Sequence, residues 1–262
     1  MRKALTSLLL ASSFLFSGCV APPAIDPQGN VRVTPTSSSL QSQGAQEFLK
    51  LKQAKKISKN STYNAQLQRV ARRLTPVINL PGAKWEFVVF EDKSPNAFAL
   101  PGGKVGIHTG MFKITQTDAG LAAVVGHEIA HVTSNHAGKR QTQQIGLLIG
   151  AIALDQVVKN QGASGGERAA VAAGYGAVST LGLALPYSRS HELEADKVGA
   201  IYMARAGYDP RDAVKMWRRF EAYNVKQGRS QPEFLSTHPL DQTRISALQS
   251  FMPTAMQQYR KR

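Results

Sequence analysis

Residues 119–136 read AGLAAVVGHEIAHVTSNH and contain the pattern His-Glu-x-x-His at His127, Glu128 and His131. The preceding Thr117-Asp118 is typical of a helix N-terminus. Apolar residues recur in this stretch at helical spacing: Leu121, Val124, Val125, Ile129 and Val132. The pattern therefore predicts that the two histidines and the glutamate lie inside one apolar helix.

His127 and His131 are four residues apart, so a helix holds both imidazoles on one face about 6 Å apart, which suits a single Zn²⁺. Glu128 is offset by one position and does not bind the metal itself. Zinc makes the water that it binds more acidic, and a neighbouring carboxylate can take the proton as that water attacks a carbonyl. Alone the motif is a weak signal, because a histidine pair on an ordinary core helix gives the same string.

A catalytic zinc site needs a third protein ligand, and the segment 188–200, SRSHELEADKVGA, offers Glu192 and Glu194 on a second helix. Glu192 shares a helix face with Asp196 and with the small Gly199, which permits a close approach to the first helix, whereas Glu194 points to the opposite side. We therefore favour Glu192 as the ligand and Asp196 as hydrogen-bond acceptor for a ligand histidine. The alternative is that these acids are solvated helix charges.

The rest of the chain predicts an α+β fold that is mainly helical, with a small antiparallel sheet beside the helix of the motif. Strands are expected in 85–90, 96–100 and 104–109, the last two joined by a Pro-Gly-Gly turn. Further helices are expected over 45–59, 62–78, 145–158, 168–185, 190–206, 210–226 and 241–258.

The helices over 145–158 and 168–185 are rich in Ala, Gly and Leu. Because a membrane span needs about 20 strongly apolar residues, packed core helices are favoured over membrane insertion.

Residues 1–18 have the charged start, apolar centre and small final residues of a secretion signal. Cys19, the only cysteine, follows Phe-Ser-Gly as in a bacterial lipobox, although Phe16 stands where Leu is usual. Residues 19–44 read as a flexible, Pro- and Ser-rich tether, and 45–262 as the globular domain. If Cys19 is lipidated, the resemblance to Gram-negative lipoproteins implies the periplasmic face of the outer membrane, because Val20 stands where an Asp would favour retention at the inner membrane. The alternative is an ordinary signal peptide with an incidental cysteine.

The chain has 32 Lys and Arg against 17 Asp and Glu, a net charge of +15. The basic residues are spread out and no nucleic-acid motif accompanies them, so a nucleic-acid partner is not expected. Attraction to anionic lipid headgroups accounts for the charge more simply.

Together HEIAH, ELEAD (192–196) and THPLDQTR (237–244) resemble the gluzincin metallopeptidases that include HtpX, the CAAX prenyl proteases and the mitochondrial Oma-type proteases, over about residues 60–250. The resemblance implies a zincin-type domain that holds one zinc through His127, His131 and Glu192, with Glu128 as base and Asp196 behind the ligands. It also implies that His238 contacts the substrate carbonyl or covers the zinc, that Arg244 supports the site, and that the segment Asn96, Ala97, Phe98 and Ala99 binds substrate as an added strand. A structural hairpin without substrate contact is the alternative for this segment.

The predicted function is zinc-dependent hydrolysis of misfolded or unassembled envelope proteins by a small bacterial lipoprotein anchored through Cys19. The alternative is an assembly factor for outer-membrane proteins whose zinc site is masked by His238. A purely structural zinc site is disfavoured, because such sites usually have four protein ligands and many cysteines. The histidines at 108, 136 and 191 are not assigned to the metal.

Overall fold

The computed structural model describes residues 24–227 and 232–260, so the predicted signal and Cys19 lie outside the described part. The strands are β1 Glu86–Phe90, β2 Ala97–Leu100 and β3 Lys104–His108. The helices are α1 Ser38–Ala54, α2 Ser61–Leu74, α3 Phe112–Thr115, α4 Asp118–Thr133, α5 His136–Asn160, α6 Gly165–Ser179, α7 Leu185–Arg205, α8 Arg211–Gln227, α9 Glu233–Thr237 and α10 Gln242–Gln257. The mainly helical α+β class predicted from the sequence is confirmed.

Helix α4, which carries the His-Glu-x-x-His motif, lies at the centre of the domain. The Thr117 hydroxyl caps its N-terminus by accepting from the Gly120 N–H. The helix contacts α2, α7, α8 and β2, and its residues from Gly120 to Thr133 are all buried. A helix that is apolar on every side is stable in water only when neighbours cover it on every side, which is what this arrangement provides.

The backbones of α4 and α7 approach closely where Gly126 faces Gly199. A Cβ atom on Gly199 would lie 2.9 Å from the backbone nitrogen of His127. The predicted close approach of the two helices is thus confirmed. It brings the acidic residues of α7 within reach of the histidines of α4.

The sheet is mixed, and the prediction of an antiparallel sheet was wrong. Its strand order is β1-β3-β2, with β1 parallel and β2 antiparallel to β3. The Pro-Gly-Gly hairpin is confirmed, and Gly102 and Gly103 both have φ +84°, which glycine adopts readily. The chain passes from β1 to the far edge of the sheet, forms β2 there, and returns to place β3 between the two. The pattern of apolar residues does not reveal this strand order.

The last seven residues of the predicted tether, 38–44, belong to helix α1. Ser37 caps it by accepting from the Leu40 N–H. Residues 24–37 have little regular structure but do contact the domain, because the Thr34 N–H donates to the Thr133 carbonyl over 2.7 Å. The flexible segment expected over 19–44 therefore differs from the structure in its described part.

Helices α5 and α6 form a hairpin that projects from the core, which we call the apolar hairpin (136–179). The prediction that they are packed core helices was wrong. His136 is the only buried residue of α5, and Ser179 the only one of α6. The two helices contact each other, and the Tyr175 hydroxyl donates to the Leu147 carbonyl over 3.1 Å. Most of their apolar side chains are left exposed.

Candidate metal centre

His127, His131 and Glu192 meet where α4 crosses α7, and all three are buried. The Nε2 atoms of the two histidines are 3.1 Å apart. The Glu192 carboxylate faces both, with Oε2 3.3 Å from His127 Nε2 and Oε1 3.3 Å from His131 Nε2. The structure thus brings together the three side chains that the sequence predicted as ligands.

The spacing of these atoms fits one zinc ion. Ligand atoms that each lie about 2.1 Å from a tetrahedral zinc are separated from one another by about 3.4 Å. The separations between the three side chains, 3.1 and 3.3 Å, are close to that value. Two imidazoles and a carboxylate are also a donor set that catalytic zinc sites use.

Asp196 and Arg244 hold His127 in place from behind. Asp196 Oδ1 lies 3.0 Å from His127 Nδ1, the position that the sequence predicted for it. The Arg244 guanidinium donates to both oxygens of Asp196, over 2.9 and 2.8 Å, and its Nη1 lies 3.1 Å from Glu192 Oε2. A proton on His127 Nδ1 leaves the Nε2 lone pair directed at the cluster.

Burial raises the pKa of Asp196, but the charge of Arg244 and the hydrogen bond from His127 outweigh it and keep that pKa below its ordinary value. Burial likewise raises the pKa of Glu192, and the adjacent imidazoles of His127 and His238 reverse the shift. Both carboxylates are therefore held ionised in a buried site, which suits Glu192 as a metal ligand and Asp196 as the acceptor for His127 Nδ1–H.

A second support, behind His131, was missed by the sequence reasoning. His136 Nδ1 lies 2.7 Å from His131 Nδ1, and His136 Nε2 lies 3.1 Å from Glu194 Oε1. Glu194 does point away from the cluster, as predicted, but it reaches the ligands through His136. The only sequence signal was Asn135, a residue type that tolerates the left-handed conformation it adopts here (φ 52°) and so allows the chain to turn between α4 and α5.

Glu128 lies beside the cluster with its carboxylate buried. Its Oε1 has no hydrogen-bond partner among the described residues. Burial raises the pKa of Glu128, and the charges of His238 and His127 oppose that shift. A backbone hydrogen bond from Ala99 also lowers the pKa, so the carboxylate lies next to strand β2. A carboxylate oxygen that accepts no hydrogen bond and belongs to a group of raised pKa is suited to accept a proton.

His238 completes the cluster on the side of α9. Its Nδ1 lies 3.1 Å from Glu192 Oε2 and 3.4 Å from His127 Nε2, and its Nε2 is 3.6 Å from Glu128 Oε1. Its ring stacks on Phe234 at 4.7 Å. One ligand atom from each of His127, His131, Glu192 and His238 can be chosen so that all lie within 4.8 Å of one another. His238 could therefore supply a fourth ligand atom to an ion held by this cluster.

The predicted substrate segment is strand β2 with the residue before it. Asn96 is buried, and its side chain accepts from the Ala97 N–H over 2.9 Å, so it stabilises the start of the strand. Phe98 packs against Phe48 and Phe90. Among the described residues, only one side of β2 pairs with another strand, and β2 contacts α4.

The two histidines not yet placed lie away from the cluster. His108 is buried in β3 with Nδ1 3.5 Å from Asp92, and burial lowers its pKa. His191 stacks on His136 with a ring distance of 4.1 Å, and burial lowers its pKa to about 3.

Comparison with known proteins agrees with this geometry. The family model described as peptidase family M48 matches residues 61–252. The mitochondrial metalloendopeptidase OMA1 of Schizosaccharomyces pombe is 32% identical over 191 residues, which are 72% of this chain and 53% of that protein. A putative beta-barrel assembly-enhancing protease of Vibrio cholerae is 30% identical over 190 residues, 70% of this chain and 38% of that protein.

The beta-barrel assembly-enhancing protease of Escherichia coli K12 is 27% identical over 188 residues, 69% of this chain and 37% of that protein. The matched region thus spans between about a third and about half of these relatives. It contains both ligand helices and the segment around His238. The chain belongs to peptidase family M48.

Proposed function

We propose that the protein is a zinc-dependent endopeptidase in which His127, His131 and Glu192 hold one zinc ion and Glu128 is the general base. The observation that carries this proposal is the buried Glu128 carboxylate. One of its oxygens accepts no hydrogen bond from the described residues, and it lies beside a cluster of ligand atoms whose spacing fits a zinc ion. A structural metal site has no use for such a group. When bound, zinc would polarise the scissile carbonyl and acidify the attacking water.

In this mechanism Glu128 accepts the proton of the attacking water and then delivers it to the leaving amine. Asp196 and His136 keep the ligand histidines in the tautomers that present Nε2 to the metal. Arg244, with its guanidinium on Asp196 and Glu192, prevents two buried carboxylates from repelling each other. The free edge of β2, next to Glu128, is suited to hold an extended peptide through backbone hydrogen bonds.

Such binding favours unfolded segments, because an added strand must be free of other pairing. Unfolded or unassembled envelope proteins are therefore the proposed substrates, and protein quality control is the proposed role. The names of the bacterial relatives, which include beta-barrel assembly, support a location at the outer membrane. The lipobox-like Cys19 supports a lipid anchor on its periplasmic side.

One observation favours a second candidate function. His238 stands where a water or a substrate carbonyl would approach the metal. If it stays there, the site is masked and the protein acts mainly as an assembly factor. In that case His238→Ala raises peptidase activity and Glu128→Gln still supports outer-membrane protein assembly. If His238 instead assists the carbonyl, His238→Ala lowers activity.

The primary test is cleavage of casein by the full chain as wild type, Glu128→Gln and Glu47→Gln. Removal of a general base costs about 10²- to 10⁴-fold in rate, so Glu128→Gln should lose cleavage while keeping its zinc. Glu47 is an exposed glutamate on α1, and its variant should match wild type. Undiminished cleavage by zinc-loaded Glu128→Gln would refute the proposed base.

A further inference from the structure

Among the described residues, the exposed large hydrophobic side chains are concentrated in one region. Of the thirteen large hydrophobic side chains that are exposed in the described part of the chain, ten lie between 145 and 185. They come from both helices of the apolar hairpin and from the turn of helix that follows it: Ile145, Leu148, Ile149, Ile152, Val157, Val171, Val178, Leu181, Leu183 and Leu185. An exposed apolar patch of this extent marks a binding surface.

Two polar contacts join the helices of the hairpin, and its exposed charged side chains lie near its turn and its base. Arg168 pairs with Asp155 over 2.6 Å, and the Tyr175 hydroxyl donates to the Leu147 carbonyl. The outer surface of the second helix has no charge at all from 169 to 185. A protein partner would need polar groups at the rim of its interface, whereas hydrocarbon needs none.

The basic residues beside this surface and the length of its apolar helix indicate which partner covers it. The exposed Arg140 and Arg189 flank the base of the hairpin, where their charges would complement anionic lipid phosphates. Among the described residues, one continuous helical segment is long and apolar enough to cross a membrane: Gly165–Arg205, which comprises α6, α7 and the helical turn between them. Its uncharged part, 169–185, is about 25 Å long, shorter than the roughly 30 Å of a bilayer core, which favours insertion into one leaflet over a span.

The N-terminal segment approaches the same region. Ala24 lines a groove together with Ser190 and Leu193, close to the base of the hairpin. The lipid proposed on Cys19 would thus be attached to the chain only five residues before this groove-lining residue.

We propose that the apolar hairpin is a second membrane anchor, which buries its outer faces in the lipid leaflet beside the domain. The helix of Leu185 continues directly to Glu192, seven residues or about 10 Å further on. Membrane binding therefore holds the metal site close to the lipid surface, where protein segments emerge from the bilayer. This inference uses the envelope location proposed above but not the peptidase activity.

Site-specific fluorescence tests the anchor in the full chain. Because Cys19 is the only cysteine, Cys19→Ser gives a background in which one new cysteine carries the environment-sensitive dye NBD. The dye is placed by Leu148→Cys on the hairpin or by Leu181→Cys on the helical turn that follows it, and by Val225→Cys on the exposed surface of α8 as control. Vesicles of phosphatidylglycerol and phosphatidylcholine are then added, with or without brominated acyl chains.

We expect emission at 148 and 181 to rise and shift to the blue with vesicles, and to be quenched by the brominated lipids, while emission at 225 stays unchanged. No response at 148 and 181, or an equal response at all three positions, overturns the proposal. So does a response without vesicles that grows with protein concentration, because a second copy of the chain would then cover the hairpin.

A charge variant tests the same surface without a dye. The Leu148→Glu and Leu181→Glu double variant of the Cys19→Ser chain should lower vesicle binding at least about tenfold, because acidic side chains are costly in hydrocarbon. Val225→Glu is the matched control and should bind as its parent does. Casein cleavage without membranes should be equal in all three, so failure of the anchor is distinguishable from failure of the peptidase. Unreduced vesicle binding by the double variant contradicts the proposal.

Discussion

Helices α4 to α7 follow one another in the chain, yet they form two pairs that differ in their exposure to water. The pair α4 and α7 packs inside the domain, whereas the pair α5 and α6 projects from it. Fourteen of the sixteen residues of α4 are buried, including two histidines and a glutamate. Only one of the 25 residues of α5 is buried, although its apolar content is high. Apolar composition alone thus does not decide burial. The first pair is covered by the sheet and α8, whereas most of the surface of the second pair is exposed to solvent.

The largest expected difference between the two pairs is the loss of unfolding free energy when an isoleucine is replaced by alanine. Ile129 on α4 is fully buried, whereas Ile149 on α5 is 60% exposed. Ile129→Ala should lower the free energy of unfolding by about 2–5 kcal/mol, because it leaves a cavity. Ile149→Ala should change it by no more than about 0.5 kcal/mol. Urea denaturation without membranes measures both, and equal costs would mean that the hairpin is packed against the core.

Where the two pairs join, His136 links the hairpin to the metal site. His136→Leu should weaken zinc binding by about 10- to 100-fold, because His131 loses the acceptor for its Nδ1 proton. His136→Asn should retain most of the affinity, since an amide oxygen can take the place of Nδ1. Competition with a chelating dye gives the affinities. Lys139→Met is the control, because Lys139 contacts Glu194 but not the ligands.

Equal zinc affinity in wild type and His136→Leu would show that the link has no part in metal binding. Equal losses in the Leu and Asn variants would show that His136 serves packing and not hydrogen bonding.

The smallest expected difference concerns glycines. A Cβ on Gly199 meets the backbone of α4, whereas one on Gly174 in the hairpin meets nothing within 4 Å. Gly199→Ala should therefore destabilise the protein by about 1–3 kcal/mol. Gly174→Ala should stabilise it by up to about 1 kcal/mol, because alanine favours the helix. Thermal unfolding of the two variants checks the sign, and destabilisation by both would contradict an open hairpin surface.

The sequence predicted much of the site because the site is built from local patterns. The spacing of His127 and His131 on a helix fixes their common face, and Glu192 follows from the face that it shares with Asp196 and Gly199. Resemblance to the family, rather than spacing, supplied His238 and Arg244, since both come from a distant loop and helix.

The remainder depends on tertiary contacts that periodicity does not record. His136 reaches His131 because the chain turns at Asn135. Likewise, the order of the strands, with β3 between β1 and β2, is set by contacts between segments that are distant in the sequence. The exposure of the hairpin was missed for a similar reason. The Ala- and Gly-rich pattern is the same for a core helix and for a helix that meets lipid.

Zinc titration of the apo-protein tests the central claim most directly, with wild type, Glu192→Gln, Glu194→Gln and Glu128→Gln compared by calorimetry. The account predicts one zinc per chain in wild type, the same stoichiometry and affinity in Glu128→Gln, a modest loss in Glu194→Gln, and a loss of at least about 100-fold in Glu192→Gln. Wild type that binds no zinc, or Glu192→Gln that binds it as tightly as wild type, would contradict the account.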